Sequence, residues 1–275
     1  QRYEIVNRIA NAFPTSPNKK RTAFITYLVC GDPSINSTKK LLQIMVDSGV
    51  DLIELGMPFT DPIADGPTIQ KGIERALKNK ITLENTLTVV KDFRKNNKRT
   101  PIVLMGYMNP IVNMGYEKFS IKAKNCGVDG ILIVDLPIEE SYEINKVFKR
   151  NNLKQIFLAS PTTDANRLKK IKKYSEGYLY YVSIKGITGT SIKNIQSIKN
   201  QVKKIKRISN KKIPIAVGFG IKNRSSAKKI SSFSDGIIIG SSIVELIEKY
   251  IHNKNAMYSK IKDFLLGITR TLEKK

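Results

Sequence analysis

Asp51-Leu-Ile-Glu-Leu-Gly-Met-Pro-Phe-Thr-Asp-Pro-Ile-Ala-Asp-Gly-Pro67 changes character half-way along. The first half is a short apolar run, Leu52, Ile53 and Leu55, and reads as a buried strand. The second half contains Gly56, Pro58, Pro62, Gly66 and Pro67, which break regular structure. Two carboxylates frame the change. Glu54 lies inside the apolar run, where a charge without a partner is costly. Asp65 lies at the far end of the loop. A long loop stiffened by prolines more often carries function than mere connection. The stretch therefore predicts a strand end and a loop that bring Glu54 and Asp65 face to face across a pocket.

The strand-then-helix pattern recurs on both sides of it. Strand-like runs are Thr22–Val29, Pro101–Met105, Gly130–Val134, Gln155–Leu158, Tyr178–Val182, Ile213–Val217 and Gly236–Ile239. Helical spacing follows each one, most clearly in Leu41, Leu42, Met45 and Val46, and in Ile192, Ile195, Ile198, Val202, Ile205 and Ile208. The segment after Gly66 reads as helical from Ile73 to Leu77 and again from Leu83 to Phe93. The strands are continuously apolar rather than alternating, as in a parallel sheet covered on both faces. Eight such units in about 250 residues predict an α/β protein: a single (β/α)8 barrel of the TIM type. A doubly wound open sheet is the alternative. Tyr3–Phe13 adds an N-terminal lead-in helix, and Met257–Leu272 a closing helix within about 251–275. No linker or shift of composition divides residues 1–275, so one domain is expected.

In such a barrel the loops after the strands carry the chemistry. The loops after strands six, seven and eight are rich in glycine: Gly186-Ile-Thr-Gly-Thr190, Gly218-Phe-Gly-Ile221 and Gly240-Ser-Ser-Ile243. Glycine lets backbone N–H groups approach an anion, and a helix start favours negative charge. A phosphate site at Gly189, Gly220, Gly240 and Ser241 follows, with simple turn chemistry as the alternative. Tyr27, Met105, Tyr107, Leu132, Val134, Leu158, Tyr180 and Phe219 cluster at the same face and predict a slot for a flat apolar group. Each alone would be core packing. The lone histidine, His252, falls after the last barrel helix, so acid–base work is left to carboxylates. Asp135 is the remaining strand-end candidate. No cluster of hard ligands predicts a metal.

The chain carries 48 basic and 23 acidic residues, a formal charge of +25. Its lysines recur on the polar faces of most helical segments, with no arginine-rich arm or nucleic-acid motif. A solvated surface explains this better than a nucleic-acid partner. Cys30 and Cys126 stand in apolar context and form no disulfide framework. No run approaches the roughly 18 apolar residues of a membrane span, and Gln1–Ile5 shows no signal-peptide pattern. A cytoplasmic protein is expected.

Glu54-Leu-Gly-Met-Pro-Phe-Thr-Asp-Pro-Ile-Ala-Asp-Gly-Pro-Thr-Ile-Gln70 closely resembles the signature of the tryptophan synthase alpha-chain family. Gly31-Asp-Pro33, Tyr107, Asp135–Glu140, Gly186–Gly189, Gly218–Ile221 and Gly240–Val244 fit that family in the same order. The resemblance implies cleavage of indole-3-glycerol phosphate to indole and glyceraldehyde 3-phosphate. By the same likeness Glu54 is the general acid and base, Asp65 the partner of the ring nitrogen, and Tyr180 a mouth tyrosine that helps place the glutamate. Thr188 matches a loop threonine that meets Asp65 on closure, and belongs with the indole pocket. Pro58 and Asp61 match the part of the loop that faces a beta chain. That partner is expected in an alpha2beta2 tetramer, where it holds the pyridoxal phosphate; this chain is expected to need no cofactor. Two positions depart from the family pattern: Ile184-Lys185 in the loop after strand six, and Tyr27, where phenylalanine is common. Other readings are a different phosphate-binding barrel of the same pathway, or an alpha chain kept only to activate its partner. The first, such as an isomerase or the indole-glycerol-phosphate synthase, which would want lysines at strand ends, is disfavoured because the strands here end in Glu54, Asp135 and aromatics; the second fits the intact Glu54, Asp65 and glycine loops less well.

Overall fold

Apolar runs flanked by Gly, Pro and Asp close into a barrel in the computed structural model, which describes residues 7–16, 20–182, 192–208, 212–218 and 220–273. The strands are β1 (Ala23–Val29), β2 (Leu52–Gly56), β3 (Ile102–Gly106), β4 (Gly130–Ile133), β5 (Lys154–Ala159), β6 (Leu179–Val182), β7 (Ile215–Gly218) and β8 (Gly236–Ile239). All pair in parallel, each with the next, and β8 closes on β1. The helices are α1 (Arg8–Ala12), α2 (Ile35–Asp47), α3 (Pro67–Lys78), α4 (Leu83–Asn96), α5 (Met108–Met114), α6 (Tyr116–Cys126), α7 (Tyr142–Arg150), α8 (Ala165–Tyr174), α9 (Ile192–Arg207), α10 (Arg224–Ser231), α11 (Ser241–Lys249) and α12 (Lys254–Glu273). The open-sheet alternative is thereby excluded.

Two apolar layers explain why the strands do not alternate. Ile25, Leu52, Val103, Leu132, Ile156, Ala216 and Ile238 point inward and fill the barrel. Ile9, Ala12 and Phe13, on and just after α1, join the same cluster and plug its N-terminal end. The outward residues, such as Leu28, Leu55 and Leu104, pack beneath the helices. A strand buried on both faces needs apolar residues at every position.

Acidic residues just before the strands fix the lower rim. Asp51 Oδ2 accepts from Phe24 N at 2.8 Å, Asp129 Oδ2 from Ile102 N at 2.8 Å, and Asp235 Oδ2 from Ile215 N at 2.9 Å. Each carboxylate stands at the start of one strand and satisfies an N–H near the start of the preceding one. Such a donor would otherwise lack a ladder partner.

The element boundaries differ from the sequence reading in four instructive places. Helix α3 starts at Pro67, not near Ile73, because proline at the first helical position gives up no needed donor. Asp65 therefore stands two residues from a helix, at its entry. Helix α5 is not among the helical segments expected from the spacing of apolar residues. Its proline lies in the first turn, where it is tolerated, and Gly115 (φ 86°) ends it. Strand β7 begins at Ile215 because Pro214 has no N–H, although its carbonyl still accepts from Leu179 N at 2.8 Å. Strand β6 begins at Leu179, since Tyr178 N turns back to Glu176 O at 3.0 Å.

Candidate active site

Period-two geometry in β2 turns Glu54 inward with Leu52 below it, in register with Tyr27 on β1 and Val103 on β3. Glu54 is fully buried. Tyr178 donates its hydroxyl proton to Glu54 Oε1 at 2.5 Å. Oε2 has no hydrogen-bond partner among the described residues. Burial dominates: it pushes the Glu54 carboxyl up to about 8, and the Tyr178 hydrogen bond only partly opposes it. The group therefore holds its proton at neutral pH and lies near its own midpoint just above it. Tyr178 is packed in turn on Phe13, ring centroids 5.3 Å apart, so the N-terminal plug props the glutamate's partner from below.

The family resemblance implies that supporting role for Tyr180. In the structure Tyr178 makes the contact, and Tyr180 lines the cavity above it. Alternation along Tyr178-Leu-Tyr180 puts both rings on the inner face, so the period already marked Tyr178 as a neighbour of Glu54.

Asp65 is placed by a different device. Asp65 N donates to Pro62 O at 3.1 Å, closing a turn. Gln70, one turn into α3, donates from Nε2 to Asp65 O at 2.8 Å and Pro62 O at 3.3 Å. Tyr107, immediately before α5, donates its hydroxyl to Asp65 Oδ2 at 2.7 Å and accepts from Ala64 N at 3.0 Å. Phe59 packs on the Tyr107 ring, centroids 5.3 Å apart. Burial and the Asp65 charge both hold the Tyr107 hydroxyl in its neutral, donating form. Tyr107 was expected in the wall of the apolar slot; it is instead the clasp of the Asp65 loop. Pro58 is buried, so it shapes the loop rather than presenting a surface. Asp61 is exposed, as is Ile63, at 80% of its full exposure.

A cavity of about 440 Å³ opens between these elements. Tyr27, Met105, Val134, Leu158 and Tyr180 form its apolar wall, and Asp65 stands at its edge. Leu132 was expected there as well, but it sits fully buried in the barrel interior below. Two glycines make room for the tyrosines. A Cβ on Gly56 would come 2.4 Å from the Tyr27 hydroxyl, and one on Gly218 would come 2.4 Å from the Tyr180 hydroxyl. Glu54 is not part of the cavity wall. Its carboxyl is held on Tyr178, so facing a bound molecule takes a side-chain rotation.

The loops after β7 and β8 give the cavity a polar lining. Gly220, Gly240, Ser241 and Ser242 line it, together with Lys222, which the sequence reading did not single out. Helix α11 starts at Ser241, and its N-cap Gly240 offers no side chain to satisfy the first-turn donors. Those N–H groups and the helix dipole suit an anion. Ser242 Oγ donates to Ile221 O at 3.0 Å and ties the loops after β7 and β8 together. Gly189, Thr188 and Phe219 lie outside the described residues, as does Ile184-Lys185. Asp135, the third strand-end carboxylate, is exposed and accepts from Met108 N at 2.8 Å, a structural bond that starts α5. Among the described residues no group of three or more His, Cys, Asp or Glu is arranged to hold a metal, and no helix is long and apolar enough to cross a membrane.

Known proteins carry the same architecture. The family model described as tryptophan synthase alpha chain matches residues 13–273. The tryptophan synthase alpha chain of Nitrosomonas europaea is 45% identical over 243 residues, 88% of each chain. That of Vesicomyosocius okutanii is 41% identical over 256 residues, 93% of this chain and 96% of the other. The crystal structure of tryptophan synthase subunit alpha from Legionella pneumophila superposes with a TM-score of 0.89 at 35% identity, covering 98% of this chain and 99% of that one. A chain from the tryptophan synthase a2b2 complex of Pyrococcus furiosus, studied for its mutual activation, gives 0.79 at 36% identity over 91% of this chain and 99% of that one.

Proposed function

Since the chain belongs to the tryptophan synthase alpha-chain family, a lyase of tryptophan biosynthesis that cleaves indole-3-glycerol phosphate to indole and glyceraldehyde 3-phosphate, we propose that Glu54 moves the protons of this reaction and Asp65 holds the ring nitrogen. The observation that carries the assignment is the buried Glu54 carboxyl, in register with Tyr27, which lines the same cavity as Asp65, and raised by burial to about 8.

The chemistry is a retro-aldol cleavage. Indole leaves as a carbon fragment only after its C3 is protonated. Glu54, protonated at neutral pH and rotated from Tyr178 toward the cavity, gives C3 that proton. Positive charge then develops at the ring N–H, where the Asp65 carboxylate accepts a hydrogen bond and stabilises it. Glu54, now a carboxylate, takes the proton of the side-chain hydroxyl as the C–C bond breaks. The electron pair of that bond restores the aromatic ring, the hydroxyl carbon becomes the aldehyde, and Glu54 ends protonated as it began. A carboxyl whose pKa lies near the working pH suits both transfers. Tyr107 keeps Asp65 aimed; Tyr27, Met105, Val134, Leu158 and Tyr180 enclose the ring; Gly220, Gly240 and Ser241 take the phosphate.

Membership of the family implies a beta-chain partner. We assign to that partner the pyridoxal phosphate, and to the pair an alpha2beta2 assembly in the cytoplasm, with the exposed Asp61–Ile63 segment on the shared face. An indole-release assay on Glu54→Gln and Asp65→Asn tests the roles. Each substitution is expected to cut turnover by at least about a hundredfold, the scale of losing a general acid or an oriented charge, with the fold retained. Near-normal turnover in either variant would overturn its assignment.

A further inference from the structure

Two charged residues line the cavity among the described residues, Asp65 and Lys222. They have opposite signs. Asp65 lies with the loop before α3. Lys222 lies with Gly220 and Ile221 in the loop after β7, beside the start of α11.

The backbone on both sides of Lys222 is anchored. Ile221 O accepts the Ser242 hydroxyl at 3.0 Å. Asn223 caps α10, accepting from Ser226 N at 2.9 Å. The loop therefore holds the Lys222 Cα in place while the side chain remains exposed and makes no ion pair with another described residue. Among the described residues, Arg75 on α3 is committed elsewhere, bound to Asp32 at 2.7 and 2.9 Å. Arg224, two residues on from Lys222, lies against Gly267 of α12 and does not line the cavity.

We propose that Lys222 supplies the cationic contact for the substrate's phosphate, in a site otherwise built from backbone N–H groups and serine hydroxyls. The cavity is then polar in the electrical sense as well. Asp65 is to meet the ring nitrogen that becomes positive, and Lys222 the phosphate dianion. A substrate with its charges so placed enters in one orientation, and the reversed orientation sets like charges together. The proposal rests on the phosphate reading above, but it adds a side chain and a charge that the glycine loops do not provide.

Glycerol 3-phosphate, inorganic phosphate and indole are the probes. Each is titrated by calorimetry against the full chain and its Lys222→Met and Lys222→Arg variants, at two salt concentrations and at pH 5.5 and 7.5. Lys222→Met is expected to weaken both phosphate ligands about three- to tenfold, the scale of a partly exposed charge contact. It is also expected to flatten their salt dependence and leave indole binding alone. Lys222→Arg should retain most of the affinity. The gap between wild type and Lys222→Met should narrow at pH 5.5, because a phosphate monoester dianion takes up a proton and becomes a monoanion at about pH 6. A merely structural lysine would not produce that pH dependence. Equal phosphate affinity and equal salt slopes in wild type and Lys222→Met would overturn the lysine's role while leaving the phosphate site standing. Failure of wild type itself to bind either phosphate ligand would overturn the site reading and the lysine proposal with it.

Discussion

Replacing Glu54 by glutamine should change how stability depends on pH, by an amount that follows from burial. In the folded chain the carboxyl is raised to about 8; the ordinary value, which the unfolded chain keeps, is 4.5. Below about 4.5 both states hold the proton and Glu54 has no differential effect. Between about 4.5 and 8 only the folded state holds it, so unfolding releases a proton and stability falls as pH rises. Above about 8 the group is ionised in both states and the loss levels off. At 1.36 kcal/mol per pH unit, the contribution lost between pH 5 and pH 8 is on the order of 3 kcal/mol. Glutamine has the same size and does not titrate. Urea midpoints of wild type and Glu54→Gln should therefore diverge with rising pH in favour of the variant, because the other titrating groups cancel in the difference. In thermal scans the divergence should be on the order of 10 °C. The amide needs partners of its own, which adds an offset that does not vary with pH. A stability difference that stays flat from pH 5 to pH 8 would show that Glu54 ionises normally in the folded chain. The proton-donor argument would then fail with it.

Three further outcomes are expected. Tyr178→Phe removes the one hydrogen bond that lowers the Glu54 pKa, so the alkaline limb of the kcat–pH profile should move upward by roughly one pH unit; an unmoved or acid-shifted limb would detach Tyr178 from the working state. Gly218→Ala puts a methyl 2.4 Å from the Tyr180 hydroxyl and 2.7 Å from its Cε1, which should drive the ring into the cavity and raise KM at least about tenfold, a loss of about 1.4 kcal/mol, with partial recovery in Gly218→Ala/Tyr180→Phe; an unchanged KM would mean that the ring is not fixed there. Indole release by the isolated chain should be slow and should accelerate on adding the beta chain, and equal rates would remove the claim that the partner acts on the Asp61–Ile63 loop.

The barrel was legible because burial on both strand faces leaves a signature that does not depend on distant contacts. Glu54 was legible for the opposite reason: a carboxyl among Leu52, Ile53 and Leu55 needs a cause. The misread residues share another origin. Tyr107 is 42 positions from Asp65, and no local pattern says that its hydroxyl turns toward that loop rather than into the slot. Leu132 and Met105 are register partners, yet Met105 lines the cavity and Leu132 lies below it. Strands tilted to the barrel axis make height in the barrel differ from position along a strand. Lys222 is one of 48 basic residues, so its charge carries no signal until the fold shows which lysine stands at the cavity.

Burial of Glu54 also ties the chemistry to the fold's own cost. The apolar interior that keeps the carboxyl protonated at neutral pH makes its ionised form expensive, and the reaction needs that form for one step. A full set of hydrogen bonds to the carboxylate would stabilise it and pull its pKa back toward the ordinary range, and C3 would lose its acid. One donor, Tyr178, with Oε2 left without a partner among the described residues, is an intermediate solution. It places the group without committing it to either charge state. The rotation toward the substrate then costs a single hydrogen bond, on the scale of about 1 to 3 kcal/mol, which contacts made only in the substrate complex can offset.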